Sequence, residues 1–564
     1  MLNNMLPTPR ESRSGAAILA DTLRQFEVPV VTFIPGEGIL ELVDELAVRA
    51  PSIRLASFRH EAGMTFAAQA IGQLSGQPGV CLAARAPGAL NTTLAVHTAH
   101  TDSAPLVMIV GQAAMGAAER EAMLGVSHFH QVFGPLAKWV GLIESAARIP
   151  EMLSRAWHIA MSGRRGPVVL VLPEDVSREL AEVADLPRPS PSAAGPAAPD
   201  LARFRALITA AQRPLMIVGG TGWQNDSLLT LTQLADTHGV PLATSYRRRD
   251  LIDHEHPNFV GEIGLGIDRA LAARIAQADL VIVLNGRLGE LNTVGAGAFS
   301  GFTLWTPPRQ SNVLVHIHAE PAELNGVYCA DLAIPADPNA FVEAWADAAA
   351  RNPESDAPHA ERAAWLTAAH AERLAFANTG SCPGPLDLRV VYATLDAALP
   401  DDVLVASGAG AYAMWPQRYL RHRRPGTQLG PKSGAMGYGL SAAIGAALLA
   451  PARRVVAVAG DGCFMMHAEE LETAVRLGID LLVIVVNNRS YGAIESAQRR
   501  QFGRTTGTAL GAIDFAAFAR ALGARGETVE TTDGFAPTLH RALAAGGVSL
   551  IELRVSSDVT KPVG

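Results

Sequence analysis

Short apolar runs separated by amphipathic stretches recur along the whole chain. In the first third, Pro29-Val-Val-Thr-Phe-Ile34, Gly79-Val-Cys-Leu-Ala83 and Leu106-Val-Met-Ile-Val110 read as strands buried on both faces. Continuous Val, Ile and Leu, rather than alternation, marks a parallel sheet covered by helices. A further strand is expected near Ile53–Ser57, and residues 39–49 and 61–74 carry the apolar spacing of the intervening helices. The middle third repeats the pattern with Pro214-Leu-Met-Ile-Val-Gly-Gly220, Leu280-Val-Ile-Val-Leu284 and Val313-Leu-Val-His-Ile317. The last third has Val403-Leu-Val-Ala406, Val455-Val-Ala-Val-Ala459, Leu481-Leu-Val-Ile-Val-Val486 and Val548-Ser-Leu-Ile-Glu-Leu553. The pattern predicts an α/β chain built from three doubly wound parallel sheets. Such sheets bind ligands at the carboxyl ends of their strands.

Two compositional breaks divide the chain. Leu186–Pro199 is rich in Pro, Ser and Ala and reads as a semi-rigid exposed linker. A looser break spans about Asn352 to Pro385, with a helical middle. The expected domains are therefore residues 1–185, 200–350 and 380–564. Apolar residues make up 49% of the 564, enough for sizeable cores. The net charge of −8 gives no general attraction to nucleic acid or to an anionic membrane, so neither is expected as a partner. No charge-free apolar run of about 20 residues suggests a membrane span. The first fifteen residues lack the apolar core of a secretion signal, and Cys81, Cys329, Cys382 and Cys463 are too dispersed for a disulfide frame or zinc site. A cytoplasmic protein is the expectation.

One stretch concentrates chemistry. A strand ends in Gly460-Asp461-Gly462, a helical segment follows, and a second strand ends in Asn487-Asn488-Arg489-Ser490-Tyr491-Gly492. A right-handed crossover makes the two strands parallel, so both end at one sheet edge. A carboxylate and a carboxamide oxygen then converge beside glycine-rich backbone. Mg²⁺ wants oxygen ligands and commonly takes some from a phosphate. Backbone N–H groups around Gly462 and Tyr491-Gly492 are candidates to hold that phosphate.

Gly-Asp-Gly followed after 24 residues by Asn-Asn resembles the fingerprint of thiamine diphosphate enzymes. The resemblance implies that Asp461 and the Asn488 side chain bind Mg²⁺, with the Ser490 carbonyl as third ligand, and that Gly460, Gly462, Cys463, Tyr491 and Gly492 surround the cofactor. Arg59-His60-Glu61-Ala62-Gly63 is similar to the His-Glu-x-Gly stretch of acetolactate synthases and benzoylformate decarboxylases. Glu61 is by that likeness the carboxyl on N1′ of the aminopyrimidine, which promotes removal of the thiazolium C2 proton. Read alone, Glu61 is more readily an acid complementing a helix N-terminus. Gly434-Ala435-Met436-Gly437 resembles the segment that offers a carbonyl (Gly434) to the 4′-amino group and a wedge (Met436) beneath the cofactor. Ser407-Gly-Ala409-Gly410 matches a diphosphate-binding turn, with Ala409 and Gly410 as N–H donors. The resemblance spans pyrimidine-binding, middle and diphosphate-binding domains in that order. It implies a homodimer or homotetramer, with Glu61 and the Gly-Asp-Gly motif of one site drawn from different subunits.

The implied reaction removes CO₂ from a 2-oxo acid, and the resulting enamine is either protonated to an aldehyde or ligated to a second carbonyl. The chain departs from each well-known relative around the substrate. Acetolactate synthases carry Phe-Gln-Glu where Leu124-Gly125-Val126 stands here, a lysine where Glu174 stands, and a tryptophan near Ala497, departures that argue against a biosynthetic acetohydroxyacid synthase. Their flavin-site Arg-Phe-Asp-Asp-Arg is only echoed by Arg287-Leu288-Gly289-Glu290, so FAD is not expected. Decarboxylase histidines align with Ala84 and the 122–124 region, and His128 and His130 are the nearby substitutes. Glu37 falls where pyruvate decarboxylases place an aspartate and is the candidate for a second proton-handling carboxyl. Arg85 is a candidate to grip a substrate carboxylate, and Glu495 sits one position beyond a decarboxylase acid. The same cofactor chemistry also suits a lyase of 2-hydroxy ketones or 2-hydroxyacyl thioesters. A non-catalytic cofactor-binding regulatory subunit is a reading of another class, and Gly219-Gly220-Thr221-Gly222 reads as a tight strand-to-helix turn more readily than as a nucleotide loop.

Overall fold

The computed structural model describes residues 12–117, 120, 128–191, 193–298, 300–309, 311–351 and 360–562. Positions 122–127, including Leu124-Gly125-Val126, lie outside them. Three six-stranded, wholly parallel sheets form the scaffold, as the apolar runs predict.

The first sheet is ordered Arg54–Ser57, Val30–Phe33, Gly79–Ala84, Leu106–Gln112, Pro167–Pro173, Trp139–Leu142. The third is ordered Gln428–Leu429, Leu404–Ser407, Val455–Gly460, Leu481–Asn487, Val548–Arg554, Arg525–Val529. In both, the earliest strand lies between the second and the third, so the winding reverses beside it and opens a crevice at the carboxyl edge. The middle sheet is ordered Phe259–Glu262, Leu242–Thr244, Pro214–Val218, Leu280–Leu284, Val313–His318, Leu332–Pro335, and grows outward in both directions from Pro214–Val218. Its reversal point therefore holds Gly219–Gly222.

One apolar core joins the first and last sheets. The helix Tyr438–Leu449 is apolar all round and buried along its length, as a helix enclosed on every side must be. It packs against the helix Glu61–Ser75 so closely that a Cβ on Gly445 would lie 2.3 Å from the Ala67 carbonyl oxygen. The helix Ala360–Asn378 packs on the middle sheet: buried Arg362 donates to the carbonyls of Ile208, Thr209, Ala211 and His238, and Trp365 donates to the Pro214 carbonyl at 3.0 Å. The middle domain is bolted to the last by Arg247, which donates to Ser407 Oγ and to the Gly408 carbonyl. Asp250 reinforces the seam by accepting from the Gly426 N–H at 3.0 Å. All four cysteines are unpaired, and among the described residues no helix is long and apolar enough to cross a membrane.

Candidate active site

The crevice of the third sheet opens into a cavity of about 230 Å³ between the ends of Leu404–Ser407, Val455–Gly460 and Leu481–Asn487. Every residue of the last third expected around the cofactor and its cation lines this one cavity: Ala409, Gly410, Gly434, Met436, Gly460, Asp461, Gly462, Cys463, Asn488, Ser490, Tyr491 and Gly492. A smaller cavity of about 170 Å³ adjoins it through Gly434 and Thr560 and is walled largely by apolar side chains, among them Leu265, Leu291 and Met414.

Strand ends and short turns position these groups. Asp461 follows its strand directly and is 5% exposed. Its Oδ1 accepts the Gly462 N–H at 2.9 Å, whereas its Oδ2 is buried with no hydrogen-bond partner. Burial pushes the carboxyl up to about 6, against the pull of backbone N–H groups of Gly462, Arg489 and Ser490. An orphaned, buried carboxylate oxygen is costly unless a cation or donor meets it. Asn488 donates to the Val559 carbonyl at 3.1 Å and accepts the Ser490 N–H at 3.1 Å, which fixes its amide at the cavity wall. Asn487 instead turns away to Glu552, donating at 2.7 Å. The donor set of one carboxylate, one carboxamide and one backbone carbonyl suits a hard divalent ion. Among the described residues no cluster of three or more His, Cys, Asp or Glu offers an alternative metal site.

Two glycines shape the opening. Gly434 has φ +76 with nothing within 4 Å of a Cβ, so its backbone faces open cavity. Gly410, at φ +150, turns the chain into the short helix Ala411–Ala413. A bulky residue at either position is disfavoured by conformation alone.

Some expected donors are engaged elsewhere. The Tyr491 N–H donates to the Thr508 carbonyl at 2.9 Å, and the Gly462 N–H serves Asp461, so neither is free for a phosphate. The Ala409 N–H reaches the Cys463 sulfur, which also accepts the Gly437 N–H at 3.3 Å and the Tyr412 hydroxyl at 3.2 Å. Cys463 thus stitches together the two turns that bound the cavity, and burial pushes its thiol up. Tyr412 and the C-terminal residues Val559 and Thr560 belong to the site as well. No motif marks them; they arrive through contacts distant in sequence. Glu495 is buried beside the site, where it accepts from Ser490 Oγ and from Arg499 at 2.5 Å.

Glu61 does not line this cavity within the same chain. It opens the helix Glu61–Ser75 at the carboxyl edge of the first sheet, half-buried, and accepts from Asn91 Nδ2 at 2.9 Å. The helix Arg85–Asn91 links it to a charged cluster, since Gly88 lies against the Glu61 carboxyl and Arg85 begins the same helix. Arg85, at φ +48, is clamped by Glu174 and faces Glu37 at 3.6 Å. Its guanidinium is therefore engaged by protein carboxylates, which compete with the expected substrate carboxylate. Glu37 is 63% exposed in its side chain. His128 and His130 are both exposed around the helix Phe129–Phe133; His130 lines an open groove with Lys138 and Trp139, and neither reaches the cavity. Gly220, Thr221 and Gly222 line a separate cleft of about 350 Å³, in which Arg287 pairs with Glu323 at 3.0 Å.

Comparison with known proteins bears on this geometry. Residues 13–132 match the profile described as thiamine pyrophosphate enzyme, N-terminal TPP binding domain; residues 201–345 match the central domain, and 408–553 the C-terminal TPP binding domain. The chain is 29% identical to acetolactate synthase isozyme 1 large subunit of Escherichia coli K12, over 99% of this chain and 97% of that protein. It is 30% identical to the acetolactate synthase large subunit of Parasynechococcus marenigrum, over 94% of this chain and 85% of the relative. Identity to the acetolactate synthase of Bacillus subtilis is 28%, over 96% and 93%.

Proposed function

This chain belongs to the thiamine pyrophosphate-dependent 2-oxo acid carboligase family, and from that premise we propose a Mg²⁺-dependent enzyme that decarboxylates a 2-oxo acid and either releases an aldehyde or joins the fragment to a second carbonyl, as the acetolactate synthase relatives suggest by name. The observation that carries the reading is the convergence of twelve expected residues on one cavity with an unsatisfied Asp461 oxygen in its wall.

Bound thiamine diphosphate supplies a carbon nucleophile and a cationic ring that takes up the electron pair left by departing CO₂. The chain's residues do the rest. Asp461, Asn488 and the Ser490 carbonyl would hold Mg²⁺, and Gly410 with the backbone near Gly492 would receive the diphosphate. The Gly434 carbonyl would accept from the 4′-amino group, with Met436 as the apolar wedge. Glu61 would hold a proton at N1′, and Glu37, kept near by Arg85, is the second proton-handling carboxyl. The apolar second cavity suits the side chain of a small 2-oxo acid. FAD is left out of the proposed cofactor set, because Arg287 in the segment echoing a flavin site is already engaged by Glu323.

A homodimer or homotetramer completes the site. The separation of Glu61 from the chain's own cavity supports this, as do exposed Leu90 on the helix that contacts Glu61 and exposed Ile494 in the cavity wall. The experiment is a 2-oxo acid panel on enzyme reconstituted with thiamine diphosphate and Mg²⁺, with and without an acceptor aldehyde, scoring CO₂ and ketone separately. CO₂ release dependent on both additions supports the reading. Cleavage of a 2-hydroxy ketone or thioester without CO₂ would replace it by the lyase, and no turnover with tight coenzyme binding by the regulatory subunit.

A further inference from the structure

The loop that delivers Glu61 is braced from the other end of the chain. Glu470 opens the helix Glu470–Arg476, in the segment that follows Gly460-Asp461-Gly462, and is fully buried. Its Oε1 accepts the His60 N–H at 2.9 Å and the Arg59 N–H at 3.2 Å; its Oε2 accepts the Thr473 hydroxyl at 2.6 Å. A Cβ on Gly63 would lie 2.8 Å from that Oε1 and 3.1 Å from Ser441 Oγ, so the carboxylate is wedged between the helices Glu61–Ser75 and Tyr438–Leu449. Outer ties run parallel to it: Arg59 with Glu472 at 2.5 Å, Arg476 to the Ser57 carbonyl at 2.6 Å, and Arg54 to the Leu477 carbonyl at 3.0 Å. The outer ion pair is exposed and of small worth. The buried carboxylate is the dominant tie, because two successive N–H groups share it and would be orphaned without it.

Two successive backbone bonds fix the dihedrals immediately before Glu61. His60 then caps the helix by accepting the Ala62 N–H at 3.1 Å on its ring nitrogen. The Glu61 carboxyl itself is half-buried, with the Asn91 amide as its hydrogen-bond donor. Its aim is thus set by the backbone at residues 59 and 60 together with the helix Arg85–Asn91, which supplies the Asn91 amide and packs Gly88 against the carboxyl. We propose that Glu470 is a positioning residue for Glu61, acting through the reach of its two acceptor oxygens and not through its charge. The inference rests on the reading that Glu61 activates the coenzyme.

Two near-conservative variants separate reach from charge. Glu470→Gln keeps the length and an acceptor for Arg59 and His60, and Thr473 can rotate to accept from the new amide. Glu470→Asp keeps the charge but withdraws the carboxylate by about one C–C bond, roughly 1.5 Å. The readouts are the rate of deuterium exchange at C2 of bound thiamine diphosphate, the coenzyme Kd, the melting temperature, and amide protection of the peptide containing residues 59 and 60 without coenzyme. Expected for Asp is exchange at C2 slowed by about tenfold or more, since an error near 1 Å at a catalytic group is worth up to about 100-fold. Amide protection at 59 and 60 should fall, while Kd stays within about threefold. Gln should stay within about threefold of wild type on every readout. Slow exchange in Gln with normal exchange in Asp would overturn the proposal in favour of a charge role; normal exchange in both would leave Glu470 merely structural. If Asp does not fold, Thr473→Val loosens the same carboxylate from behind, and unchanged C2 exchange there overturns the proposal. Glu61→Gln is run alongside: if it exchanges normally, the reading of Glu61 itself fails, independently of Glu470.

Discussion

Gly434→Ala is the sharpest test of the cavity, because its cost can be divided in advance. The residue sits at φ +76 with no atom within 4 Å of the added Cβ, so no clash contributes. Left-handed backbone costs an L-residue about 1–2 kcal/mol, offset by about 0.4–1 kcal/mol from a stiffer unfolded chain. A net loss near 1 kcal/mol lowers the melting temperature by about 2–4 °C in a domain of this size. Gly503, at φ +68 and equally free of neighbours, carries the same strain at an exposed helix end. Gly503→Ala should therefore match the melting shift and leave the coenzyme untouched. Only Gly434→Ala places a methyl where the coenzyme ring would lie and disturbs the carbonyl offered to it. One displaced hydrogen bond plus the steric intrusion is worth about 1.5–3 kcal/mol, or about 10- to 100-fold in Kd. Calorimetric titration of thiamine diphosphate at saturating Mg²⁺, with thermal melts of all three proteins, reads both quantities. Wild-type affinity in Gly434→Ala, or equal weakening in Gly503→Ala, would refute the placement of the coenzyme at this turn.

Three further outcomes are expected. Glu61→Gln should slow turnover by about two to four orders of magnitude in steady-state assays, with the fold retained, as removal of a proton-handling group does. Asp461→Ala should weaken Mg²⁺-dependent coenzyme retention, read by desalting and coenzyme quantification, and retention equal to wild type would remove Asp461 from the cation site. His422, buried against His254 at the seam of the middle and last domains, is held down to about 4 from 6.5, chiefly by burial and then by Arg249. Its neutral form is the one that fits, so its contribution is present above pH 6.5 and disappears as pH falls toward 4, up to about 3 kcal/mol. Urea unfolding of wild type and His422→Gln at pH 7 and 4.5 should show a smaller loss on acidification in the variant.

What the sequence disclosed follows from range. Strands such as Leu481–Asn487 and Val455–Gly460 are central and covered on both faces, so an uninterrupted apolar run announces them. The edge strands Gln428–Leu429 and Arg525–Val529 are short or partly polar, and nothing local distinguishes them from loops. The same division holds at the site. Gly-Asp-Gly and Asn-Asn were legible because a turn at a strand end has a local signature. The engagement of the Tyr491 N–H by Thr508, and the triple role of the Cys463 sulfur, depend on segments that meet only in three dimensions. Arg85 illustrates the limit from the other side: a lone arginine beside a turn reads as a ligand for substrate, whereas its partner Glu174 comes from a strand end far along the chain.

Arg247 carries a practical consequence for engineering. Its guanidinium leaves the middle sheet and grasps Ser407 and Gly408, the root of the turn that lines the cavity of about 230 Å³. A chimera whose replacement for residues 200–350 lacked an arginine at the place of Arg247 would strip that root of its anchor, even with every cavity-lining side chain left native. The middle segment is thus no interchangeable cassette. A graft would have to transplant residues 246–251 together with their counterparts at 407–408 and 426–428, and a library built to alter substrate choice should hold those positions constant.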